Sequence, residues 1–473
     1  MNEKTELNSK PKELSVEDIY LDLDIGHKVL KLAEKLGAAE AEVFMIKAAA
    51  TDFSIEKNSV KFASSSTEFG MGIRVIIDKR LGFGFCTDLP HAEQSIKNAL
   101  CTAKLGKELE FGFISESEHR EISSIFDKTV LELTVADGLD RTHELISACV
   151  EIDNRIIIPG GGVGYGGGSV ALLTSNNIEL EYKGTGIYGG VSTILKDKTT
   201  STGFDSDHSR RNDLDYSTIG KHAAKLALDG QNPKTVDSGE YPIIFTPEAI
   251  SELLEFTVLP GLYGEQAMKG ETFYSNRLGE QVAPENISLI DDGTLEKGIN
   301  TAPIDDEGTP TQSTILVENG ILKKYLFDRL SALEFNEIST GNANRAEGFG
   351  GGRSYKTTPK TKVQNFTIKS KSDTKPVETL ISEIKNGLVI HELLGAHTAN
   401  SASGDFSVNS PTLFKITNGE LSAAGKQVMV SGNMGRLLER IRAIGNDYKN
   451  MGGGLTPVAF RIPSILIDDV KII

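Results

Sequence analysis

Two stretches near the N-terminus decide the fold class of this chain: AEVFMIKAAATDFSIEKN at residues 41–58 and FGMGIRVIIDKRLGFGFCTD at residues 69–88. Both are rich in aliphatic and aromatic residues and are joined by polar turns such as Asp78-Lys79-Arg80, a pattern typical of β-strands. A helical pattern precedes them, with Ile25, Val29, Leu32 and Leu36 at helical spacing between a capping Asp24 and Gly37. Residues 90–106 return to helix. We therefore predict an α+β fold.

The domain organisation follows from these changes of period along the chain. A length of 473 residues is too great for one ordinary domain. We predict a disordered leader at 1–19, an N-terminal α+β domain at 20–107 and a central α+β domain at 108–235. The second unit contains predicted helices near 135–150 and 213–229 and strands near 170–196, and Asn232-Pro233-Lys234 is typical of a linker.

The third predicted unit, residues 236–473, is rich in β-strand signals. They are strongest in STILVENGILKKYLFD at 313–328 and FKITNGELSA at 414–423, where Asn-Gly pairs at 319–320 and 418–419 indicate hairpins. One helix is predicted near 436–445, and the chain ends in the apolar strand AFRIPSILIDDVKII. The expected architecture is thus N-terminal α/β units followed by a β-rich C-terminal domain.

Composition narrows the possible functions. The net charge of −16 argues against a broad nucleic-acid-binding surface, because affinity for nucleic acid rests largely on Lys and Arg. The sequence contains no run of about twenty apolar residues, so it predicts no membrane span. Cys86, Cys101 and Cys149 are widely spaced and odd in number, which favours a reducing cytoplasm without a disulfide framework.

His391-Glu392-Leu393-Leu394-Gly395-Ala396-His397 resembles a zinc signature, but its spacing is wrong for one. Two ligands share a helix face at i and i+4, whereas i and i+6 lie roughly 240° apart at about 100° per residue. The flanking GLVIHELL is typical of a strand, and only a turn at Gly395 would bring the two His together. We favour structural or peptide-binding roles for both over metal binding.

Two other polar or glycine-rich features favour structural interpretations. Gly160–Gly168 lacks the Lys-Ser/Thr of a phosphate loop and is predicted to be a flexible surface loop before the strand SVALLTSNN. The acidic clusters Asp291-Asp292 and Asp305-Asp306-Glu307 are each followed by Gly, which is typical of turns.

A third set of motifs carries a resemblance to a known family. GEQ at 279–281, DDG at 291–293 and DDEGTPTQ at 305–312 are followed by STGNANRA at 339–346 and VSGNMGRLLERI at 430–441. In their order and spacing these motifs resemble the TldD/PmbA family, once described as modulators of DNA gyrase. The resemblance covers most of the chain, from about Asp24 onward.

The resemblance implies a cytoplasmic zinc peptidase system with two kinds of subunit. In the TldD branch an HExxxH motif and a later Cys bind zinc. Counting back from Gly279 places Glu255, Phe256 and Pro260 where His, Glu and His would stand, and the later Cys would fall near Leu394. A catalytic zinc needs three protein ligands, and Pro260 is expected to break a helix. The chain therefore resembles the PmbA (TldE) branch, with no catalytic residues and no metal of its own.

The implied function is that of a non-catalytic subunit whose TldD-like partner binds the zinc. Pairing would give a heterodimer or, without the partner, a homodimer through the third unit and its loops at 348–352 and 392–408. The segment from Leu253 to Lys269 would border a shared cavity for unfolded peptides, with Tyr263, Glu265, His391 and His397 as candidate peptide-binding residues. The alternatives are a non-proteolytic regulator of gyrase or of a toxin system, and a stand-alone metallopeptidase with a non-standard site at His391 and His397.

Overall fold

The computed structural model of the protein describes residues 11–118, 120–346, 352–452 and 456–473. It confirms the α+β prediction. The N-terminal half is built on one large antiparallel sheet, whose strands are β1 Glu40–Glu56, β2 Ser59–Ile77, β3 Arg80–Cys86, β4 Ile156–Thr174, β5 Glu179–Lys196 and β6 Thr200–Ser209. Their order is β3-β2-β1-β4-β5-β6, so the first two predicted units share a single sheet.

Each half of this sheet carries its own helices, and the pattern of helix, three strands and helix occurs twice. The helices are α1 Leu23–Lys35, α2 Ala92–Ala103, α3 Lys128–Leu131, α4 Val135–Ile152 and α5 Tyr216–Asp229. Helix α1 begins two residues earlier than predicted, because Asp22 rather than Asp24 is the N-cap and accepts a hydrogen bond from the Asp24 amide. Val29 and Ile96 of α1 and α2 are fully buried against Met71 and Ile73 of β2.

The prediction of a flexible glycine loop at Gly160–Gly168 is wrong, because these residues form the middle of strand β4 and pair with β1 and β5. Glycine is required there by close approach between strands. A Cβ built on Gly166 would stand 2.3 Å from the carbonyl oxygen of Ala49 in β1. The glycines thus allow the long strands of this sheet to approach one another more closely than side chains would permit.

The disordered leader is also wrong for its second half. Residues 1–10 lie outside the described residues, but Val16–Ile19 form a 3-10 turn, Ile19 is fully buried and Leu14 is 6% exposed. The Lys12 amide donates to Ser65 Oγ of β2 at 2.9 Å. These apolar anchors outweigh the polar composition of the flanking residues.

The third unit is β-rich and contains two larger sheets. Its helices are α6 Pro247–Leu253, α7 Leu259–Leu262, α8 Gly264–Met268, α9 Arg329–Phe335, α10 Val377–Ser382 and α11 Met434–Leu438. Its strands are β7 Gly239–Phe245, β8 Ile287–Asp292, β9 Ser313–Glu318, β10 Ile321–Leu322, β11 Ala343–Asn344, β12 Lys360–Thr361, β13 Asn365–Ser370, β14 Asn386–Ile390, β15 Asp405–Ser410, β16 Leu413–Thr417, β17 Glu420–Ala424, β18 Val428–Asn433, β19 Ile441–Ile444, β20 Lys449–Gly452, β21 Ala459–Ile462 and β22 Ile465–Ile472. One sheet has the order β10-β9-β8-β13-β21-β20; the other has the order β15-β18-β22-β7-β14-β16-β17, with β19 beside β22.

Both predicted Asn-Gly hairpins are confirmed. Asn319 and Gly320 have φ of 53° and 80°, and Asn418 and Gly419 have φ of 52° and 85°, as a tight turn between antiparallel strands requires. The helix predicted at 436–445 is much shorter: α11 ends at Leu438, and Ile441–Ile444 pair with β22 as a strand. Within the described residues, no helix is both long and apolar enough to cross a membrane.

Candidate functional site

The segment that carries the altered HExxxH positions is one helical stretch with a change of pitch. It runs from α6 through a π-helical turn, Leu254–Val258, into α7. The predicted break at Pro260 is wrong, because the π turn shifts the hydrogen-bond ladder and places the proline in the first turn of α7, where no amide is needed.

The π turn also affects which side chains face one another. Glu255 and Pro260 are five residues apart, which an α-helix would place about 140° apart around its axis. A π-helical turn hydrogen-bonds residue i to i+5 and brings that spacing nearer to one face. The local backbone is thus suited to an H-x-x-x-x-H spacing, although the side chains at both ends are different.

The three altered positions have well-defined environments of other kinds. Glu255 is 4% exposed, and its Oε1 accepts a hydrogen bond from the Thr456 amide at 2.7 Å. The ring of Phe256 is partly buried and meets His397 edge-on, with centroids 6.3 Å apart. Leu394, the predicted position of a later ligand, is 51% exposed, and its backbone forms an isolated antiparallel β-bridge with Asn409.

These side chains do not fit a zinc ion. A protein zinc site takes its ligands from Cys, His and carboxylate side chains. Of the three positions only Glu255 offers a donor, and one of its oxygens is already bound to the Thr456 amide. In the part of the chain that the structure describes, no group of three His, Cys, Asp or Glu residues is arranged to hold a metal.

Beside this helical stretch lies an acidic cavity of about 440 Å³. Glu252 of α6 and Glu392, which follows β14, both line it, together with the aromatic residues Tyr188 and Phe204 of the first sheet. Burial raises the pKa of Glu252 to about 8, and the charges of Glu392 and Glu255 add to the effect. Burial also raises the pKa of Glu392, which accepts a hydrogen bond from Thr412.

A second cavity of about 690 Å³ adjoins the first, and His391 lines both. Its ring meets Phe414 edge-on at 5.4 Å between centroids and lies 6.3 Å from His222. Burial lowers the pKa of His391 to about 4, so this histidine is neutral at pH 7.

A partly buried ion triad connects the central and the C-terminal units. Lys449 of β20 pairs with Asp205 of β6 and with Glu248 of α6, the latter at 2.6 Å. Asp205 also lies 3.1 Å from His222 of α5. The triad connects three elements that are far apart in sequence, and one of its members, Glu248, lines both cavities.

The four predicted peptide-binding residues are not brought together. Tyr263 is 7% exposed and belongs to the main core, with the Lys362 ammonium 5.2 Å from its ring centroid. Glu265 pairs with Lys269 on the surface at 2.5 Å. His391 lines the two cavities, while the exposed His397 contacts Phe256. Their role in binding peptides stays a prediction.

The acidic motifs of the sequence turn out to be buried. Asp292 accepts from the Thr294 amide, as the turn interpretation predicts, but Asp305, Asp306 and Glu307 are each no more than 2% exposed. Glu307 pairs with Arg74 of β2 at 2.7 Å, and Arg74 donates to Glu42 of β1 at 2.6 Å. The motif therefore connects the first and third units through a buried ion network.

Sequence analysis missed the acidic cavity. A signal was present, because Glu248, Glu252 and Glu255 follow one another at intervals of four and three residues, which puts them on one side of a helix. Glu392 had no such signal, because only the packing of β14 against the other elements brings it to the cavity.

Comparison with known proteins agrees with this architecture. Three protein-family models match the chain. They describe PmbA/TldA metallopeptidase domain 1 at residues 41–105, the central domain at 128–231 and the C-terminal domain at 238–473. The chain therefore belongs to the PmbA/TldD metallopeptidase family, as the sequence motifs indicated.

Individual relatives are similar to the chain over nearly its whole length. The chain is 30% identical to an uncharacterized protein of Methanocaldococcus jannaschii over 91% of this chain and 97% of that protein. It is 24% identical to a metalloprotease PmbA homolog of Haemophilus influenzae over 94% of both. The crystal structure of TldE from Thermococcus kodakarensis has a TM-score of 0.87 at 25% identity and covers 95% of this chain and 99% of that one.

Proposed function

We propose that this chain is the non-catalytic, PmbA/TldE-like subunit of a cytoplasmic peptidase that degrades unfolded peptides, and that a zinc-binding TldD-like subunit supplies the catalytic centre. One observation carries the proposal: at positions 255, 256 and 260 the chain has a carboxylate bound to a backbone amide, a phenyl ring and a proline. The similarity to a solved TldE supports the same subunit assignment.

The chain's own contribution would be to bind and position the peptide. The acidic cavity and its larger neighbour together offer concave, partly apolar surface beside the helical stretch, which is the usual form of a binding site. The helical stretch has a π turn that suits an H-x-x-x-x-H spacing, but it lacks the ligands. A scaffold that keeps this shape and lacks the donors is expected of a subunit that completes a cavity.

Three samples test the catalytic assignment: the chain alone, a TldD-like partner alone and both co-expressed. We expect metal analysis after dialysis to find no stoichiometric zinc in the chain alone. Only the mixed sample should cleave an unfolded peptide, and a folded protein of similar sequence should resist. One zinc per isolated chain, or equal activity of the partner with and without this chain, would contradict the proposal.

Assembly is tested separately by size-exclusion chromatography with light scattering. Two-fold pairing is the commonest route to a soluble oligomer, so we expect a dimer at micromolar concentration, and a mixed dimer when the partner is present. A stable pair should bury well over about 1,000 Å² in total. A monomer under both conditions would rule out the subunit model while leaving the family assignment intact.

A further inference from the structure

A third cavity has the opposite charge to the acidic one. It has a volume of about 640 Å³ and lies between the first and third units, with Phe83 of β3 on one side and Pro457 on the other. Three lysines of one segment line it: Lys356, Lys360 and Lys362. Among its lining residues that the structure describes, none is acidic, although the whole chain has a net charge of −16.

The cavity adjoins the altered active-site segment. Thr456, whose amide donates to Glu255, is one of its lining residues. Lys362 is another, and its ammonium lies over the ring of Tyr263, one residue beyond α7. A peptide held beside Glu255 would therefore have these lysines within reach.

Unpartnered polar atoms form a second and independent indication of a ligand. Asn344 Oδ1 and Thr357 Oγ1 both belong to lining residues, are buried, and have no hydrogen-bond partner among the described residues. A buried polar group without a partner costs free energy. The hydroxyl of Thr357 is able to donate, and the side-chain amide of Asn344 offers its NH2 group after a 180° rotation of the amide.

The electrostatics favour an anion over a cation. Burial lowers the pKa of Lys362, and the neighbouring charge of Lys360 lowers it further. Two nearby carboxylates offset this only in part: Glu68 is exposed and lies 3.9 Å from Lys356, and the charge of Glu255 acts on Lys362. An anionic group placed among the lysines would relieve their repulsion and accept charge-assisted hydrogen bonds.

We infer that this basic cavity binds a carboxylate group of the peptide, either its C-terminus or an Asp or Glu side chain. The inference rests on the proposed function and names a substrate class for it: peptides with an anionic group beside the bound segment. Three donors of different kinds, ammonium, hydroxyl and amide, are what a carboxylate needs to satisfy its several acceptor positions.

The test uses four unstructured peptides of equal length that carry a neutral fluorophore, and fluorescence anisotropy with the full chain and with the chain plus its partner. Two peptides differ only in a free or amidated C-terminus. The other two are amidated and differ only in one internal Asp or Asn. In at least one of the two pairs, we expect the anionic peptide to bind about tenfold more tightly than its neutral counterpart, since hydrogen bonds to charged groups are the stronger ones. The pair that shows the difference identifies the source of the carboxylate.

Substitutions then locate the effect. Lys362→Met and the exposed Lys360→Gln should each reduce the preference for the anionic peptide by several-fold, and Lys360→Gln covers the case in which Lys362→Met fails to fold. Lys369→Gln is the matched control, because Lys369 lines a separate basic cavity with Lys297 and Arg461. Equal binding of all four peptides, or an equal loss in the control, would overturn the inference and leave the subunit proposal standing. Absence of peptide binding by both the chain and the pair would overturn both.

Discussion

At the residue scale, Glu252 shows how position changes the chemistry of an ordinary side chain. It lies in a cavity wall with Glu392, and burial raises its pKa to about 8. Because the pKa of Glu252 is higher in the folded state than in the unfolded chain, the folded state binds the proton more tightly at pH values between the two pKa values. The free energy of unfolding should therefore fall as pH rises from about 5 to 8.

Glu252→Gln tests this dependence. Between pH 5.5 and 9 the unfolding free energy of the variant should fall by about 1–3 kcal/mol less than that of the wild type. This figure is smaller than the full pKa shift implies, because the cavity is open to solvent. Urea denaturation at several pH values measures it. Glu265→Gln, at a surface carboxylate paired with Lys269, is the control and should follow the wild type. Parallel curves for Glu252→Gln and wild type would show that Glu252 does not titrate in this range.

At the element scale, local patterns predicted elements well and their partners poorly. The long strands, the helices near 135–150 and 213–229 and both Asn-Gly hairpins follow from period and turn chemistry. The glycine-rich strand β4 was not predicted, because glycine is typical of loops unless a neighbouring backbone comes close. That neighbouring backbone is β1, which is more than one hundred residues away in sequence. The π turn also has no reliable signature in a single sequence. For the acidic cavity, the spacing of Glu248 and Glu252 was a local signal, but Glu392 meets them only in the folded chain.

Two glycines of strand β4 give a matched test of close strand approach. A Cβ on Gly166 would meet the Ala49 carbonyl oxygen at 2.3 Å, whereas one on Gly160 would meet nothing within 4 Å. Gly166→Ala should lower the free energy of unfolding by about 1–3 kcal/mol through overpacking. Gly160→Ala should be neutral or raise it by up to about 1 kcal/mol, because alanine restricts the unfolded chain. Chemical denaturation compares them, and similar effects at both positions would refute the explanation.

The helical stretch at 247–262 allows a test of whether restoring its three altered positions is enough for zinc binding and catalysis. Glu255→His, Phe256→Glu and Pro260→His introduced together would supply two imidazoles and a carboxylate on a backbone that keeps the π turn. We expect neither tight zinc nor efficient peptidase activity, because a third protein ligand and the groups that orient the imidazoles are still missing. Metal analysis and a peptidase assay of the triple variant check this. Stoichiometric zinc together with robust peptide cleavage would show that the remaining scaffold is sufficient.

At the scale of the whole molecule, two ion clusters, one buried and one partly buried, connect units that the sequence presents as separate. Lys449 with Asp205 and Glu248 connects the central and C-terminal units. Arg74 with Glu42 and Glu307 connects the first and third. Motifs that resemble turns in sequence thus act in the folded chain as contacts between units, which local pattern analysis does not detect.

Arg74→Met provides the test of that connection. The change keeps the length of an unbranched side chain but leaves Glu307, 1% exposed at the side chain, without its cation, while Glu42 keeps its ion pair with Arg345. Removing one partner of a buried ion pair typically costs about 3–5 kcal/mol. The loss should be largest above pH 7 and smaller near pH 5, because the unpaired buried carboxylate of Glu307 has a raised pKa and binds a proton in the folded state. Arg442→Met removes an arginine from a partly exposed pair with Asp468 and should cost no more than about 1 kcal/mol. Urea denaturation of both variants at pH 5.5 and 8 measures the difference, and equal losses that do not depend on pH would mean that the buried network does not hold the first unit against the third.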